Sequence, residues 1–406
     1  MNRRAIGRMS VFAATVLAWS VAGWERAGMA PDSRAGETGT IRVYVGTYTD
    51  GASRGIYLLE FDRTSGKWVS GPALAGPSEN PSFLALHPSG RYLYAVNELR
   101  TFEGAGTGAV SAFAIDRATG RLALLNQQPS EGTDPCHLAV DAVGRNVLVA
   151  NYTSGTVALL PLSTDGRLRP ASAVRRVTGS GPIKARQEGP HAHMVLPDEA
   201  ARFVLWADLG SDRVRIDRFD SVAGRLEPND PDGLGIQPGS GPRHMAWHPS
   251  RRTLYLLSEL SATVSVLRFD AGRGALELLQ TVPARAIGTG VRNTAAEIAV
   301  SPDGRFLYTS NRGDDDIVVF AIDGAGLGLT PVGHVPSGGH TPRSFAIDPS
   351  GRWLIAANQD SNSLVVFRLD PATGLPVPVG SAVTVSKPVC VLFAPSTPDL
   401  GKAPAR

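Results

Sequence analysis

The sequence predicts an all-β chain folded as one seven-bladed β-propeller, with its last blade closed by both termini. A strand ending recurs seven times: VYVGT before Tyr48, LYAVN before Glu98, VLVAN before Tyr152, VLWAD before Leu209, LYLLS before Glu259, LYTSN before Arg312 and LIAAN before Gln359. A second seven-fold series lies just upstream of these endings: Pro81-Ser-Phe, Pro135-Cys-His, Pro190-His-Ala-His193, Pro242-Arg-His, Ala295-Ala-Glu, Pro342-Arg-Ser and Pro388-Val-Cys. Its period is roughly 46–55 residues, in the range of propeller blades. Short β-branched and aromatic runs punctuated by Gly, Pro and Asp read as strands, and no amphipathic helix follows the first thirty residues.

Each blade takes its elements in order. The segment after the Pro is the first strand. It runs into a tight turn such as His-Pro-Ser-Gly-Arg at 87–91 or Ser-Pro-Asp-Gly-Arg at 301–305, where Pro and Gly suit a hairpin. The second strand carries the repeated ending. A third strand follows, as at 155–161 or 316–322, and then a fourth after a Gly-containing turn, as at Gly166 or Gly274. The N-terminal copy begins at its second strand (41–47) and the C-terminal copy stops after its first (388–394). Together they make one blade, which removes the open edges that invite aggregation. The framework residues Asn97, Asn151, Asp208, Asn311 and Asn358 are expected to satisfy turn backbone groups. His87 and His248 precede hairpin prolines and read as turn residues.

Outside the propeller (41–396) lie a leader (1–30), a linker (31–40) and a tail (397–406). Arg3, Arg4 and Arg8 precede an apolar run from Val11 to Gly23, too short to span a bilayer comfortably. Gly28-Met29-Ala30 and Ser33-Arg34-Ala35 offer small residues for cleavage. This is a signal-peptide pattern, and the paired arginines point to the twin-arginine route. The expected location is periplasmic or secreted, with no membrane insertion once the leader is removed, and cytoplasmic if the leader is retained. The formal net charge is +3, and four leader arginines (Arg3, Arg4, Arg8, Arg26) against Glu25 account for all of it. The mature chain is thus near neutral, and without a basic run it has no nucleic-acid signature. The two cysteines, Cys136 and Cys390, fall in different blades and are expected to remain unpaired thiols. A monomer is expected.

The two series carry the chemistry. Adjacent strands of a blade are antiparallel, so the start of the first strand lies beside the end of the second. The residues that vary after each Pro and after each strand ending therefore open on one face, around the channel mouth. They include His191, Arg243, His244, Glu259, Glu297, Arg312, Arg343 and Gln359, with Glu98 and His137 nearby. His193 falls outside the repeated positions. The His191–His193 pair has metal-like spacing but no evident third ligand, so no metal or other cofactor is expected. Three arginines at one mouth suit an anion, because guanidinium forks match carboxylate and phosphate.

With these residues in view, the chain resembles the lactonase family of seven-bladed propellers, which includes bacterial propeller-type 6-phosphogluconolactonases and fungal carboxy-cis,cis-muconate cyclase. The resemblance covers Ile41 to Pro395. It rests on Gly241-Pro-Arg-His-Met, Glu259 after Leu256-Leu-Ser, Gly189-Pro-His, Ala295-Ala-Glu-Ile and Ser310-Asn-Arg-Gly. Similarity to the cyclase branch implies that His191, Arg243, Glu259 and Arg312 are catalytic. His244, Glu297, Arg343 and Gln359 are expected to bind substrate.

The expected reaction is hydrolysis of a sugar-derived or otherwise anionic lactone to its hydroxy acid. Glu259 or His191 would act as general base on water, the other protonating the ring oxygen, while Arg243 and Arg312 hold the anion. Tyr152 shares the blade position of Glu259 but matches no family catalytic residue, so Tyr152→Phe is expected to be nearly silent. A muconate-type lactonising cycloisomerase and a non-catalytic binding propeller are the alternatives. The phosphogluconolactone substrate is cytosolic, whereas this chain reads as exported. A calcium-dependent gluconolactonase would need an acidic metal cluster that the sequence lacks.

Overall fold

A computed structural model describes residues 39–285 and 292–394. The leader, most of the linker and the tail lie outside the described residues. Among those described, every regular element is a strand, and the strands form seven antiparallel sheets. Blade 1 is Leu84–Leu86, Tyr92–Asn97, Ala109–Ile115 and Leu122–Pro129. Blade 2 runs from Pro135–Val140 to Ala173–Arg176, blade 3 from Ala192–Pro197 to Arg225–Gly235, and blade 4 from Pro242–Trp247 to Ala275–Pro283. Blade 5 runs from Thr294–Val300 to Leu329–Pro336 and blade 6 from Pro342–Ile347 to Pro376–Thr384. In blade 7, Pro388–Phe393 pairs with Thr40–Thr47, which pairs with Gly55–Asp62. The first strand of each blade touches the first strands of both neighbours, so these strands form a closed ring.

The core lies between blades. One apolar layer joins Tyr255 and Leu257 of blade 4 to Leu307 and Phe320 of blade 5. Another joins Ile41 and Phe61 of blade 7 to Trp353 and Ile355 of blade 6. Second strands such as Tyr92–Asn97 and Trp353–Asn358 are buried at every residue. They are covered on both sides, which is why they read as continuous apolar runs rather than as alternation.

Two sets of polar ties hold neighbouring blades in register. The framework asparagines donate to backbone carbonyls of the connection entering their own blade: Asn97 to Glu79 (2.6 Å), Asn151 to Ser130 (2.8 Å), Asn311 to Ala284 (2.7 Å) and Asn358 to Ser337 (3.2 Å). Asp208 has no N–H to donate and instead accepts from His191 N (2.9 Å) and Arg215 Nε (3.0 Å). The hydroxyls of Tyr44, Tyr94, Tyr255 and Tyr308 each donate to the carbonyl of a turn glycine in the next blade: Gly120, Gly166, Gly326 and Gly374. At Gly166 φ is +83°, and a Cβ there would fall 2.5 Å from the Tyr92 ring. The turn therefore requires glycine. Cys136 and Cys390 are both free and buried.

Candidate active site

A β-bulge aims the varying residue of several blades at the channel. In blade 4, Pro242 pairs with Ser258 and His244 with Leu257, so Arg243 is the extra residue. Blade 6 treats Arg343 in the same way, and blade 2 treats Cys136 so. A bulge leaves its extra residue outside the ladder and re-aims its side chain. In blade 3, Ala192 pairs with Asp208 and Met194 with Ala207, so the bulged residue is His193. The sequence expectation that His193 lies outside the repeat is thereby corrected. Pro190 suggested a register two residues too early, because Ala192 takes the place that Pro242 fills in blade 4. His191 sits just before the strand, at the place of Gly241: Leu209 N donates to its carbonyl as Glu259 N does to that of Gly241.

The centre of the site is Glu259, whose side chain is only 4 % exposed. Its Oε2 meets Arg243 Nε at 3.0 Å and Arg312 Nη2 at 2.9 Å, and its Oε1 meets Arg186 Nη2 at 2.5 Å. Burial alone would raise the Glu259 carboxyl, but the Arg312, Arg243 and Arg186 guanidiniums together hold it at about 2. Arg243 also donates to the Ala296 carbonyl, and Arg312 to the Ala295 carbonyl (3.1 Å). Burial, followed by the charge of Arg312, lowers Arg243 to about 10. His193 Nε2 lies 3.9 Å from Glu259 Oε2, and burial and then Arg243 hold this imidazole well below its usual value.

His191 lies beside this cluster. Its Nδ1–H donates to the Tyr152 carbonyl at 3.0 Å, and its ring stacks on Tyr152 with centroids 4.6 Å apart. A carbonyl can only accept, so Nδ1 carries a proton and Nε2 is the nitrogen left to exchange one. Nε2 is 3.3 Å from Glu188 Oε1, a carboxylate on the exposed rim. Tyr152 Oη in turn accepts from Arg186 Nη2 at 3.1 Å. Tyr152, which matches no family catalytic residue, is joined by stacking to His191 and by a hydrogen bond to Arg186 of the Glu259 cluster.

Other expected residues form the floor and the opposite wall. His244 Nδ1 and Glu297 Oε1 are 2.8 Å apart. Burial lowers His244, and Glu297, which burial would raise, is lowered by His244 beside it. The His244 ring stands edge-on to His193 and His137, at 5.2 and 5.5 Å. Across the mouth, Arg343 lies over the Tyr48 ring at 5.3 Å and is 3.9 Å from Glu98 Oε2, to which Tyr48 Oη donates at 2.9 Å. Gln359 donates to Asp360 (3.2 Å), and no hydrogen bond or ion pair joins it to the cluster among the described residues.

Four guanidiniums (Arg186, Arg243, Arg312, Arg343) thus converge on three largely buried carboxylates (Glu98, Glu259, Glu297), leaving one net positive charge apart from the exposed Glu188. The buried Arg312 Nε and His244 Nε2 have no hydrogen-bond partner among the described residues. The unpaired Arg312 Nε–H beside this excess positive charge suits an anion, whereas His244 Nε2 is an acceptor while Nδ1–H donates to Glu297. Arg186, Tyr48 and Glu188 were not among the expected site residues. Tyr48 carried a signal, as the first member of the strand-ending series. Arg186 carried only an indirect one: the endings Asn151 and Asp208 are 57 residues apart, against 47 for Asn311 and Asn358.

Residues 42–393 match the family described as Lactonase, 7-bladed beta-propeller. The chain is 37% identical over 351 residues to 6-phosphogluconolactonase of Bacillus subtilis, covering 86% of this chain and 97% of that protein. It is 35% identical to 6-phosphogluconolactonase of Formosa agariphila, covering 75% of this chain and 85% of that one. The structure of the periplasmic gluconolactonase of Pseudomonas aeruginosa superposes with a TM-score of 0.83 at 35% identity, covering 88% of this chain and 99% of that one. By its match across nearly the whole propeller and its identity to these relatives, the chain belongs to the lactonase family of seven-bladed β-propellers.

Proposed function

We propose that this protein is a lactonase of the 6-phosphogluconolactonase type, a carboxylic ester hydrolase that opens a sugar-derived or anionic lactone to its hydroxy acid. One observation carries the reading: a histidine whose Nδ1 proton is fixed on a carbonyl stands near arginines that keep one unpaired buried donor, Arg312 Nε, and, apart from the exposed Glu188, one net positive charge. Ester opening needs a base for water and fixed donors where negative charge develops.

His191 is the better base. Its Nε2 takes a proton from water as the oxygen adds to the lactone carbonyl carbon, while the rim carboxylate of Glu188 steadies the imidazolium. Glu259 is held at about 2, too low for efficient proton removal from water at neutral pH. Its role is to hold three guanidiniums in place. Arg312 and Arg243 stabilise the oxyanion. When the tetrahedral adduct collapses, the bond to the ring oxygen breaks, and the His191 imidazolium returns its proton to that oxygen. His244, Glu297 and Arg343 line the floor and far wall against which the ring is positioned, and Gln359 has at most a peripheral role.

The leader pattern over 1–30 and the similarity to a periplasmic gluconolactonase support a periplasmic location. Among the described residues, no helix is long and apolar enough to cross a membrane. A pH-stat screen of the protein against phosphorylated and unphosphorylated aldonolactones tests the activity. Proton release above the spontaneous rate is expected for at least one of them, and no acceleration with any would overturn the reading.

A further inference from the structure

Arg186 occupies no repeat position, and we propose that it is the residue that grips an anionic substituent of the lactone and so determines substrate specificity. The proposal rests on the lactonase reading above. Arg186 is carried by the connection 177–191 between blades 2 and 3, fifteen residues long, whereas the other inter-blade connections run from three (385–387) to ten (284–293).

The loop is built in, not draped. Gln187, fully buried, donates through Nε2 to the Leu209 carbonyl (2.9 Å) and to Asp212 Oδ1 (2.8 Å), and its Oε1 accepts from Ile183 N (3.1 Å). The same Asp212 carboxylate accepts from Gly239 N (2.7 Å) and Gly241 N (2.8 Å). One buried carboxylate therefore fixes both the Arg186 loop and the segment that leads into Arg243.

The arginines of the site differ in what they have left to offer. Arg243 and Arg312 already serve Glu259 and backbone carbonyls, and the one donor Arg312 keeps, Nε, is buried. Arg343 lies over the Tyr48 ring on the opposite wall, 3.9 Å from Glu98, with its side chain 18 % exposed. Arg186 uses one nitrogen, Nη2, for both Tyr152 and Glu259. Its Nε and Nη1 have no hydrogen-bond partner among the described residues, and its side chain is 30 % exposed against 2 % for Arg243. A guanidinium anchored at one corner, with its remaining donors facing water at the rim, suits a carboxylate or phosphate at the outer end of a substrate whose carbonyl lies at the buried arginines.

The test compares wild type, Arg186→Gln and Arg186→Lys on three substrates: a neutral aldonolactone, its phosphorylated form and an aldaric acid monolactone. Circular dichroism confirms folding. Losing a charge-assisted contact should lower kcat/KM for one or both anionic lactones about 10–100-fold more than for the neutral one, mainly through KM, with Arg186→Lys intermediate. Equal losses on all three would mean that Arg186 only maintains Glu259, and would overturn the proposal, as would no loss. If the wild type opens none of the three, the lactonase reading fails separately. Calorimetric titration with a phosphorylated aldonic acid and with an aldaric acid then decides. Binding of either that weakens at least about tenfold in Arg186→Gln supports the grip; no binding of either, or equal binding, rejects it.

Discussion

The two walls of the channel mouth hold the same residue types in different states. On the wall of blades 3 to 5, Glu259 is shared by Arg186, Arg243 and Arg312, with His191 and His193 alongside. On the wall of blades 6, 7 and 1, Arg343 faces the single carboxylate of Glu98 and rests on the Tyr48 ring. The second wall is balanced in charge. Apart from the exposed Glu188, the first carries one excess positive charge, and it has an unpaired donor at Arg312 Nε. The difference favours chemistry on the first wall, where His191 and the Glu259 arginines stand together, and positioning on the second, where Arg343 makes no side-chain hydrogen bond among the described residues and keeps its donors for a substrate.

Glu259→Gln should break the contrast most severely. It leaves three guanidiniums with one counter-charge fewer, and removing one partner of a buried ion pair costs about 3–5 kcal/mol. Thermal unfolding should shift down by several degrees together with a large loss of kcat/KM. A fall in kcat at unchanged Tm would instead return Glu259 to the role of base.

The same group sets a pH dependence. The folded value of Glu259 is about 2, against an ordinary 4.5. Its contribution to stability is therefore complete above about pH 4.5 and is lost as the pH falls from there through 2. His137 and His193, held by burial well below the usual 6.5, act in the same sense: below pH 6.5 the unfolded chain takes up protons that the fold refuses. Denaturation midpoints should fall below pH 6.5 and again below 4.5, and Glu259→Gln should flatten the second fall. A midpoint constant from pH 7 to 3 would contradict the charge assignment.

On the second wall, Arg343→Gln should raise KM by about tenfold, the worth of one charged hydrogen bond, and leave kcat within about twofold. A larger loss in kcat than in KM would erase the distinction between the walls. The smallest effect is expected from Tyr152→Phe. It keeps the ring stacked on His191 and removes only the hydroxyl that accepts from Arg186, so kcat/KM should fall about three- to fivefold. An unchanged value would restore Tyr152 as a bystander.

Much of this contrast was legible in the residues. The strand endings and the series beginning at Pro81 gave seven blades and one functional face, because both repeat in phase with the backbone. Arg243, Glu259 and Arg312 do meet, and His191 reaches them through Tyr152 and Arg186. What lay beyond reading has physical reasons. Arg186 sits in a connection with no counterpart in the other blades, so no repeat marks it. The register of blade 3 was misread because Pro190 imitates Pro242, and only strand pairing shows that His193 is the bulged residue. The state of Glu259 depends on guanidiniums from three separate segments, and their convergence sets a charge that no single motif encodes.

The central claim is that His191 moves the proton on this wall. Proton release from a lactone that the wild type opens, followed by pH-stat with wild type and His191→Asn at matched protein concentration, tests it most directly. The account predicts that kcat falls by about 10²–10⁴ in the variant, with KM and Tm little changed. A variant that opens the lactone at the wild-type rate would contradict it.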